Sequence, residues 1–465
     1  MDAPYYPRRG AGRTRKPAGA ERRRRRGGAT AQARSERKGA VTRARIAAAL
    51  ALVLAAPAAV RSEEPLTLEK AIAEALAANA RLPIPALDVS LAAEREREAK
   101  AERWLKVALE SDFIYAPPGY SAAITNLGEA RLQGVVRQPV YAGGALKAGV
   151  DRALANKDAA AARYRMAQKD VELEVRGRFA ELAAARTEID VRRTGLDQLS
   201  TYMSSLRSRQ AAGQGVTADL LKTSVRVELE QATVADAEQR ADEARLGLNE
   251  LMGRDPAAPL TLAPLPPPGE PKAIEDASWN AAPDIGAAQA EAHAAEAQIT
   301  IASAERRPHL LFSADAGFLA DDTTHPFQTQ FWDRVWRDGG YSLSLVFSWP
   351  VWDTGAAQAR VAQASIEAEQ ANRQVDLEKR NARLAWEKAR SALRRLYDQI
   401  QILSKAIPDA RDSYLDTESR YRGGTATNLE VLDAHAAAVD AGVRLSDAVE
   451  RYRVAEASLI RWGTP

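Results

Sequence analysis

One short pattern occurs twice in this chain. Pro139-Val140-Tyr141-Ala142-Gly143-Gly144 returns as Pro350-Val351-Trp352-Asp353-Thr354-Gly355, at an offset of 211 residues. The same offset aligns Gly213 with Gly424, Asp219 with Glu430, and Leu220-Leu221 with Val431-Leu432. An offset held over about eighty residues leaves no room for an insertion between these points. Further upstream, Ala101-Glu102-Arg103 aligns with Ala304-Glu305-Arg306 at an offset of 203. The chain therefore reads as a tandem duplication of one unit of about 200 residues, a period too long for a solenoid. The join is dense in proline: residues 253–271 hold seven, and Pro266-Pro267-Pro268 makes a stiff, extended connector. The expected organisation is a basic leader and signal peptide over 1–60, a first repeat over 61–252, a connector over 253–278 and a second repeat over 279–465.

Each copy reads as a helix, two strands, a very long helix, a glycine break and another long helix. The helices are expected at roughly 67–103, 145–211 and 217–252, then at 284–306, 356–421 and 428–462. The long ones are rich in Ala, Glu, Arg and Gln, which favour helix intrinsically. Leu393, Leu396, Ile400, Leu403, Ile407, Ala410 and Tyr414 advance in steps of 3 and 4. Val175, Phe179, Leu182, Ile189, Leu196, Leu199, Met203 and Leu206 keep the same rhythm, interrupted by Arg186 and Arg193. Stripes this narrow suit helices laid side by side. At 1.5 Å per residue, a helix over 356–421 is about 100 Å long, too long for a globule. Pro408 is expected to bend it locally.

Four segments alternate as strands. Between Gly340 and Pro350, Tyr341, Leu343, Leu345, Phe347 and Trp349 fall on one face, and Ser342, Ser344, Val346 and Ser348 on the other. The segment 309–318 sets Leu310, Phe312, Ala314, Ala316 and Phe318 against Leu311, Ser313, Asp315 and Gly317. In the first copy, 105–115 opposes Val107, Leu109, Phe113 and Tyr115 to Lys106, Glu110 and Asp112. The segment 129–140 alternates least clearly, with Arg131, Gln133 and Arg137 against Leu132, Val136 and Val140. Soluble strands alternate in the same way, but a run of about ten residues matches a tilted strand that spans a bilayer. Four of the eight tryptophans (332, 336, 349 and 352) fall within 21 residues, as an interfacial girdle requires. Tyr341, Trp349 and Trp352 are its expected membrane-facing members. The loops 116–128 and 319–338 would then face outside the cell. Four strands cannot close a barrel, and open edges are not tolerated in lipid, so strands in a membrane demand an oligomer of two, three or four subunits.

Charge is uneven. The formal +3 splits into +12 over residues 1–60 (15 basic, 3 acidic) and −9 over the rest (50 basic, 59 acidic). The run Arg22 to Arg26 suits nucleic acid electrostatically, but nothing beyond residue 60 supports such a partner. Arg43 and Arg45 before the apolar stretch Ile46–Val60, which holds Ala56-Pro57-Ala58, form an export signal. Residues 1–40 are expected to be an unusual leader or an over-extended start, with Val41 a candidate true start. No later run of 18 apolar residues follows, which leaves a periplasmic or secreted soluble protein or an outer-membrane β-barrel. With no cysteine there is no disulfide, no thiolate metal site and no acylated anchor. The four histidines, at 293, 309, 325 and 435, are too scattered for a metal site, and no cofactor is expected. A phosphate loop, a metal-spaced His pair and a nucleophile elbow are all missing from the sequence, which argues against an enzyme. His435 lies near Asp433 but reads as a packed or solvated side chain.

With these features together, the chain resembles the TolC-type family of outer-membrane efflux and secretion channels. The resemblance rests on the duplication, on the two Pro-Val-aromatic…Gly entries into the long helices, and on Tyr421-Arg422-Gly423-Gly424-Thr425-Ala426-Thr427-Asn428-Leu429-Glu430-Val431-Leu432-Asp433-Ala434. It covers essentially 64–463. It implies a fold that is mainly α with membrane β: a homotrimer whose twelve-stranded barrel in outer-membrane lipid continues into a twelve-helix periplasmic tunnel. It also implies docking onto a periplasmic adaptor and an inner-membrane transporter, with the helix-turn tips at Gly213 and Gly424 as the docking points.

The glycine breaks have a physical reading of their own. Gly213 and Gly424 end long helices where a left-handed residue is favourable, and Asp219 and Glu430 open the next helices at the positive dipole end. Glu430 and Asp433, three residues apart, share a helix face and would form two carboxylate rings in a trimer. By resemblance these positions match the family's acidic constriction, and Asp219 and Tyr421 match residues that tie its entrance shut. Two departures weaken the lock: Glu430 replaces the commoner Asp, and Ala426 stands where some members carry an arginine. Lys222 occupies the first-copy place of Asp433, so one copy alone supplies that ring. The expected function is a passive exit duct for small molecules, powered by inner-membrane partners. Type I protein secretion is the alternative within that class, and a soluble periplasmic coiled-coil scaffold the alternative outside it.

Overall fold

The computed structural model describes residues 65–115, 128–271, 278–320 and 339–463. The signal segment, most of the two inter-strand loops, and Trp332 and Trp336 lie outside the described residues. Helices α1 (Leu68–Ala78) and α2 (Pro83–Ala101) lead into strands β1 (Lys106–Tyr115) and β2 (Gly128–Ala142), then into α3 (Ala145–Ala211) and α4 (Thr217–Leu251). After a 3-10 turn at Ser278–Ala281, α5 (Pro283–Ala304) leads into β3 (His309–Ala320), β4 (Gly339–Ser348), α6 (Ala356–Arg422) and α7 (Asn428–Trp462). No helix among the described residues is long and apolar enough to cross a membrane.

The paired long helices agree in length, 67 residues for α3 and α6 and 35 for α4 and α7. At 1.5 Å per residue, 67 residues extend about 100 Å. Each long helix is flanked twice: α3 by α2 and α5 and then by α4 and α7, α6 by α5 and then α7. The stripes found in the sequence are the seams. Val175, Phe179 and Leu182 pack with Leu248, Leu251 and Leu260, while Leu393 and Ile400 pack with Trp386, Tyr452 and Leu459. In its first half α5 buries a run of alanines (287, 288, 290, 292 and 294), whose small side chains let neighbouring backbones approach. Trp386 is fully buried in its cluster. Trp386→Ala is expected to lower stability by about 3–5 kcal/mol, the range for emptying a large aromatic site, measured by thermal unfolding in detergent.

One helix expectation changes, and the bend expected at Pro408 does not break its helix. The first helix is not continuous over 67–103: it stops at Asn79 and restarts at Pro83. The Asn79 amide donates to the Leu251 carbonyl (3.0 Å), and its side-chain oxygen accepts from the Arg81 N–H (2.9 Å). A polar cap held by a distant segment, followed by a proline with no N–H, ends the first helix. At Pro408 the helix runs on unbroken from Ala356 to Arg422.

The strands form one antiparallel sheet in the order β1-β2-β3-β4. The register sets Val107 opposite Val136, Val136 opposite Ala314 and Ala314 opposite Leu343. The apolar positions of all four strands therefore share one face. The other face collects Lys106, Glu110, Asp112, Arg131, Gln133, Arg137, Asp315, Ser342 and Ser344, in agreement with the alternation read from the sequence. Two glycines at left-handed φ, Gly144 (96°) and Gly355 (92°), cap the long helices that follow. Next to them Gly143 (61°) and Thr354 (57°) are left-handed too, and Asp353 supports the non-glycine case by accepting from the N–H of Gly355 (3.0 Å) and Ala357 (2.6 Å).

Candidate functional site

Two parts of the molecule leave groups placed for function: the sheet, and the far ends of the long helices. On the sheet both faces are open. Val107, Leu109, Phe113, Leu343, Leu345 and Phe347 are exposed on the apolar face. On the polar face Arg131 pairs with Asp112 (3.1 Å), Arg137 with Glu110 (2.9 Å), and the Ser342 hydroxyl donates to Asp315 (2.6 Å). Tyr341, Trp349 and Trp352 all project outward, and Trp352 is 84% exposed. The Trp349 indole N–H is held by the Arg306 carbonyl (3.2 Å). The sheet thus exposes apolar side chains on one side and paired charges on the other, with β1 and β4 at its edges.

At the opposite end both helix turns close in the same way. The Gln214 N–H bonds the Arg209 carbonyl and the Gly213 N–H that of Gln210; Thr425 and Gly424 repeat this with Arg420 and Tyr421. These are Schellman closures around Gly213 (φ 74°) and Gly424 (φ 77°), the conformation read from the glycine breaks. Beyond the turn Thr427 caps α7 reciprocally: its hydroxyl accepts from the Glu430 N–H (3.3 Å), and the Glu430 carboxylate accepts from the Thr427 N–H (2.8 Å).

The turns are tied to one another. The Tyr421 hydroxyl donates to Asp219 Oδ2 (2.9 Å), joining α6 to α4. Tyr202 stands edge-on to Tyr421 (5.8 Å between centroids), and Arg209 lies over the Tyr421 ring (5.4 Å). The Tyr202 hydroxyl donates to Asn428 Oδ1 (2.8 Å), and the Asn428 amide donates to the Asp219 carbonyl (3.2 Å). Burial, then the Asp219 carboxylate, raises the Tyr421 phenol above its usual range, so it remains a donor at any physiological pH. Tyr202 is raised as well, chiefly by burial. Asp219 and Tyr421, named through the family resemblance, are brought together here; Asn428, Tyr202 and Arg209 were not named as site residues. The available signal was a polar residue inside an apolar stripe, since Asn428, Val431, His435 and Val439 advance in steps of 3, 4 and 4 and are all buried.

The family model for "Outer membrane efflux protein" matches residues 63–254 and again 276–462. The chain belongs to the outer membrane efflux protein family. Protein CyaE of Bordetella pertussis is 34% identical over 179 residues, which is 36% of this chain and 37% of that protein. The pyoverdine export outer membrane protein OpmQ of Pseudomonas putida is 25% identical over 301 residues, 62% of this chain and 61% of that protein. The chain thus spans less than two thirds of either relative. The outer membrane protein VceC of Vibrio cholerae has the same fold, with a TM-score of 0.75 at 20% identity over 85% of this chain and 95% of that one. The family is described as one of efflux proteins, and the outer-membrane channel OprN shares this fold, with a TM-score of 0.76 at 20% identity. By its family the chain is an outer-membrane protein.

Within that family frame, Glu430 and Asp433 are both exposed on one side of α7, beside the tied turns. One Glu430 oxygen is committed to the helix cap, so Asp433 is the freer of the two carboxylates. Lys222 is exposed on α4.

Proposed function

We propose that the protein is the outer-membrane exit duct of a tripartite export system, a homotrimer in which three four-stranded sheets close a twelve-stranded barrel. The observation that carries this reading is the sheet: an apolar face and a charged face, both exposed, between two edges with no neighbour among the described residues of the protomer. Closure by β4 of one subunit against β1 of the next removes every edge and leaves lipid outside and water inside. Exposed apolar stripes support lateral helix contacts: Leu221, Val225 and Leu229 on α4, and Ile366, Leu377, Leu384 and Ile402 on α6. The duplicated units meet at the connector, 253–278, and their long helices continue the barrel into a periplasmic tunnel.

The tunnel ends at the tied turns. Tyr421 and Asp219 hold the entrance closed, Glu430 and Asp433 ring its narrowest point, and the Gly213 and Gly424 turns meet a periplasmic adaptor that couples an inner-membrane transporter. Small-molecule efflux is the favoured cargo class, in line with a relative named for pyoverdine export. The deciding experiment is purification in detergent followed by recording in a planar lipid film. A trimer with discrete conductance is expected; a monomer released with the soluble periplasm and silent in lipid overturns the reading in favour of a scaffold. In the same recordings wild type should prefer cations, and Glu430→Ala with Asp433→Ala should lose most of that preference. An unchanged ion preference in the double variant removes the two carboxylates from the pore.

A further inference from the structure

Above the clasp, the seam between α3 and α7 carries a second polar rung that the duct reading does not use. Tyr202 of α3 meets Asn428 of α7, and His435 Nε2 of α7 meets the Gly195 carbonyl of α3, each at 2.8 Å. Residues 195 and 202 are one heptad apart, and so are 428 and 435, in opposite order. The two contacts are therefore successive rungs of one antiparallel seam.

The upper rung is tight and dry. His435 is 1% exposed, and its Nδ1 has no partner among the described residues. A Cβ at Gly195 would come within 2.5 Å of Val439 and 3.5 Å of His435 Nε2, so α7 rides directly on the α3 backbone. From α6, Tyr414 closes the ring edge-on at 5.3 Å. From α4, Glu230 and Arg226 act on it. Glu230 already accepts from Arg192 of α3 (3.4 Å), and Arg226 has a buried Nε without a partner. On its own helix Asp433 points to solvent. The neutral ring, donating from Nε2, fits this site. A protonated ring brings a second N–H, at Nδ1, that has no hydrogen-bond partner among the described residues, with Glu230 favouring the added charge and Arg226 opposing it.

We propose that His435 is an acid-sensing rung of the periplasmic entrance: its protonation parts α7 from α3 at Gly195, and the shared seam passes that movement to the Asn428 rung and the Tyr421–Asp219 clasp, opening the duct. This rests on reading the tied turns as a channel entrance. Burial lowers the proton affinity of His435 below the ordinary value of 6.5, against the opposing pull of the Gly195 carbonyl and Glu230. A closed state that keeps the ring neutral binds fewer protons than an open state in which the ring reaches water. Opening therefore gains as pH falls below 6.5 and is complete below the closed-state value.

The test is conductance of the purified full chain in planar lipid at about pH 7.5 and about pH 5, for wild type, His435→Gln and Tyr421→Phe. Wild type should rise about tenfold in open probability on acidification, a shift that needs only a modest difference in proton affinity between states. His435→Gln keeps an N–H for the Gly195 carbonyl but cannot titrate, so it should stay flat. An acid-insensitive wild type, or an undiminished acid step in His435→Gln, overturns the proposal. Silence of wild type and Tyr421→Phe at both pH values instead sinks the duct reading beneath it. If His435→Gln does not assemble, His435→Asn takes its place. If neither assembles, the wild-type midpoint decides, because a midpoint above 6.5 contradicts a ring whose protonation is disfavoured in the closed state.

Discussion

Phenylalanine in place of Tyr421 should leave the protomer folded and its entrance open. The hydroxyl donates to a carboxylate, Asp219 Oδ2, at 2.9 Å, and this bond joins two helices that otherwise end in separate turns. A hydrogen bond to a charged group contributes about 1.5–3 kcal/mol. Removing it shifts the closed-to-open ratio by roughly ten- to hundredfold per subunit, and the effect is repeated in each copy around the ring. The ring itself remains, so its edge-on contact with Tyr202 and its place beneath Arg209 are kept. Asp219→Asn should be milder, because an amide oxygen still accepts from the phenol, with the charge contribution lost. Single-channel recording separates the cases: frequent openings for Tyr421→Phe, an intermediate level for Asp219→Asn, and rare openings for wild type. Equal open probability in all three would mean that the bond trims the fold without holding the entrance.

How much of this could be read from the sequence depends on the range of each interaction. Strand positions, and the face each side chain takes, follow from alternation over about ten residues, a local signal, and the observed register puts Val107, Val136, Ala314 and Leu343 together as that alternation requires. The glycine turns are local too: a left-handed φ at Gly213 and Gly424 follows from the lack of a Cβ where a long helix stops. The break at Asn79 is different, because its partner Leu251 lies 172 residues away. The clasp mixes both ranges. Tyr421 and Asp219 were found through a resemblance, whereas Tyr202 and Asn428, 226 residues apart, look like ordinary members of helical stripes until the helices are set side by side. Glu430 shows the limit of pattern reading in the other direction. Thr427 and Glu430 carry the spacing of a reciprocal cap, and the cap does form, so one carboxylate has a local task besides any role in a pore.

Arginine at Leu343 and arginine at Ser344 should have opposite outcomes, although the two residues are neighbours in the middle of β4. Leu343 lies on the apolar face, opposite Ala314, and is 68% exposed in the protomer. Ser344 faces the other way, opposite Ser313, on the side that carries Asp315, Arg131 and Arg137. If the apolar face meets lipid, Leu343→Arg places a guanidinium near the bilayer midplane at a cost of about 2–4 kcal/mol per subunit. A trimer carries that burden three times, enough to abolish heat-stable assembly and outer-membrane recovery. Ser344→Arg, facing water and paired charges, should assemble normally and change only conductance and ion preference. The contrast is informative because a water-soluble sheet predicts no such asymmetry: both positions are exposed there, and an added charge on either would improve solubility. Equal recovery of the two variants as membrane trimers would therefore remove the lipid-facing assignment, and the need for a closed barrel would go with it.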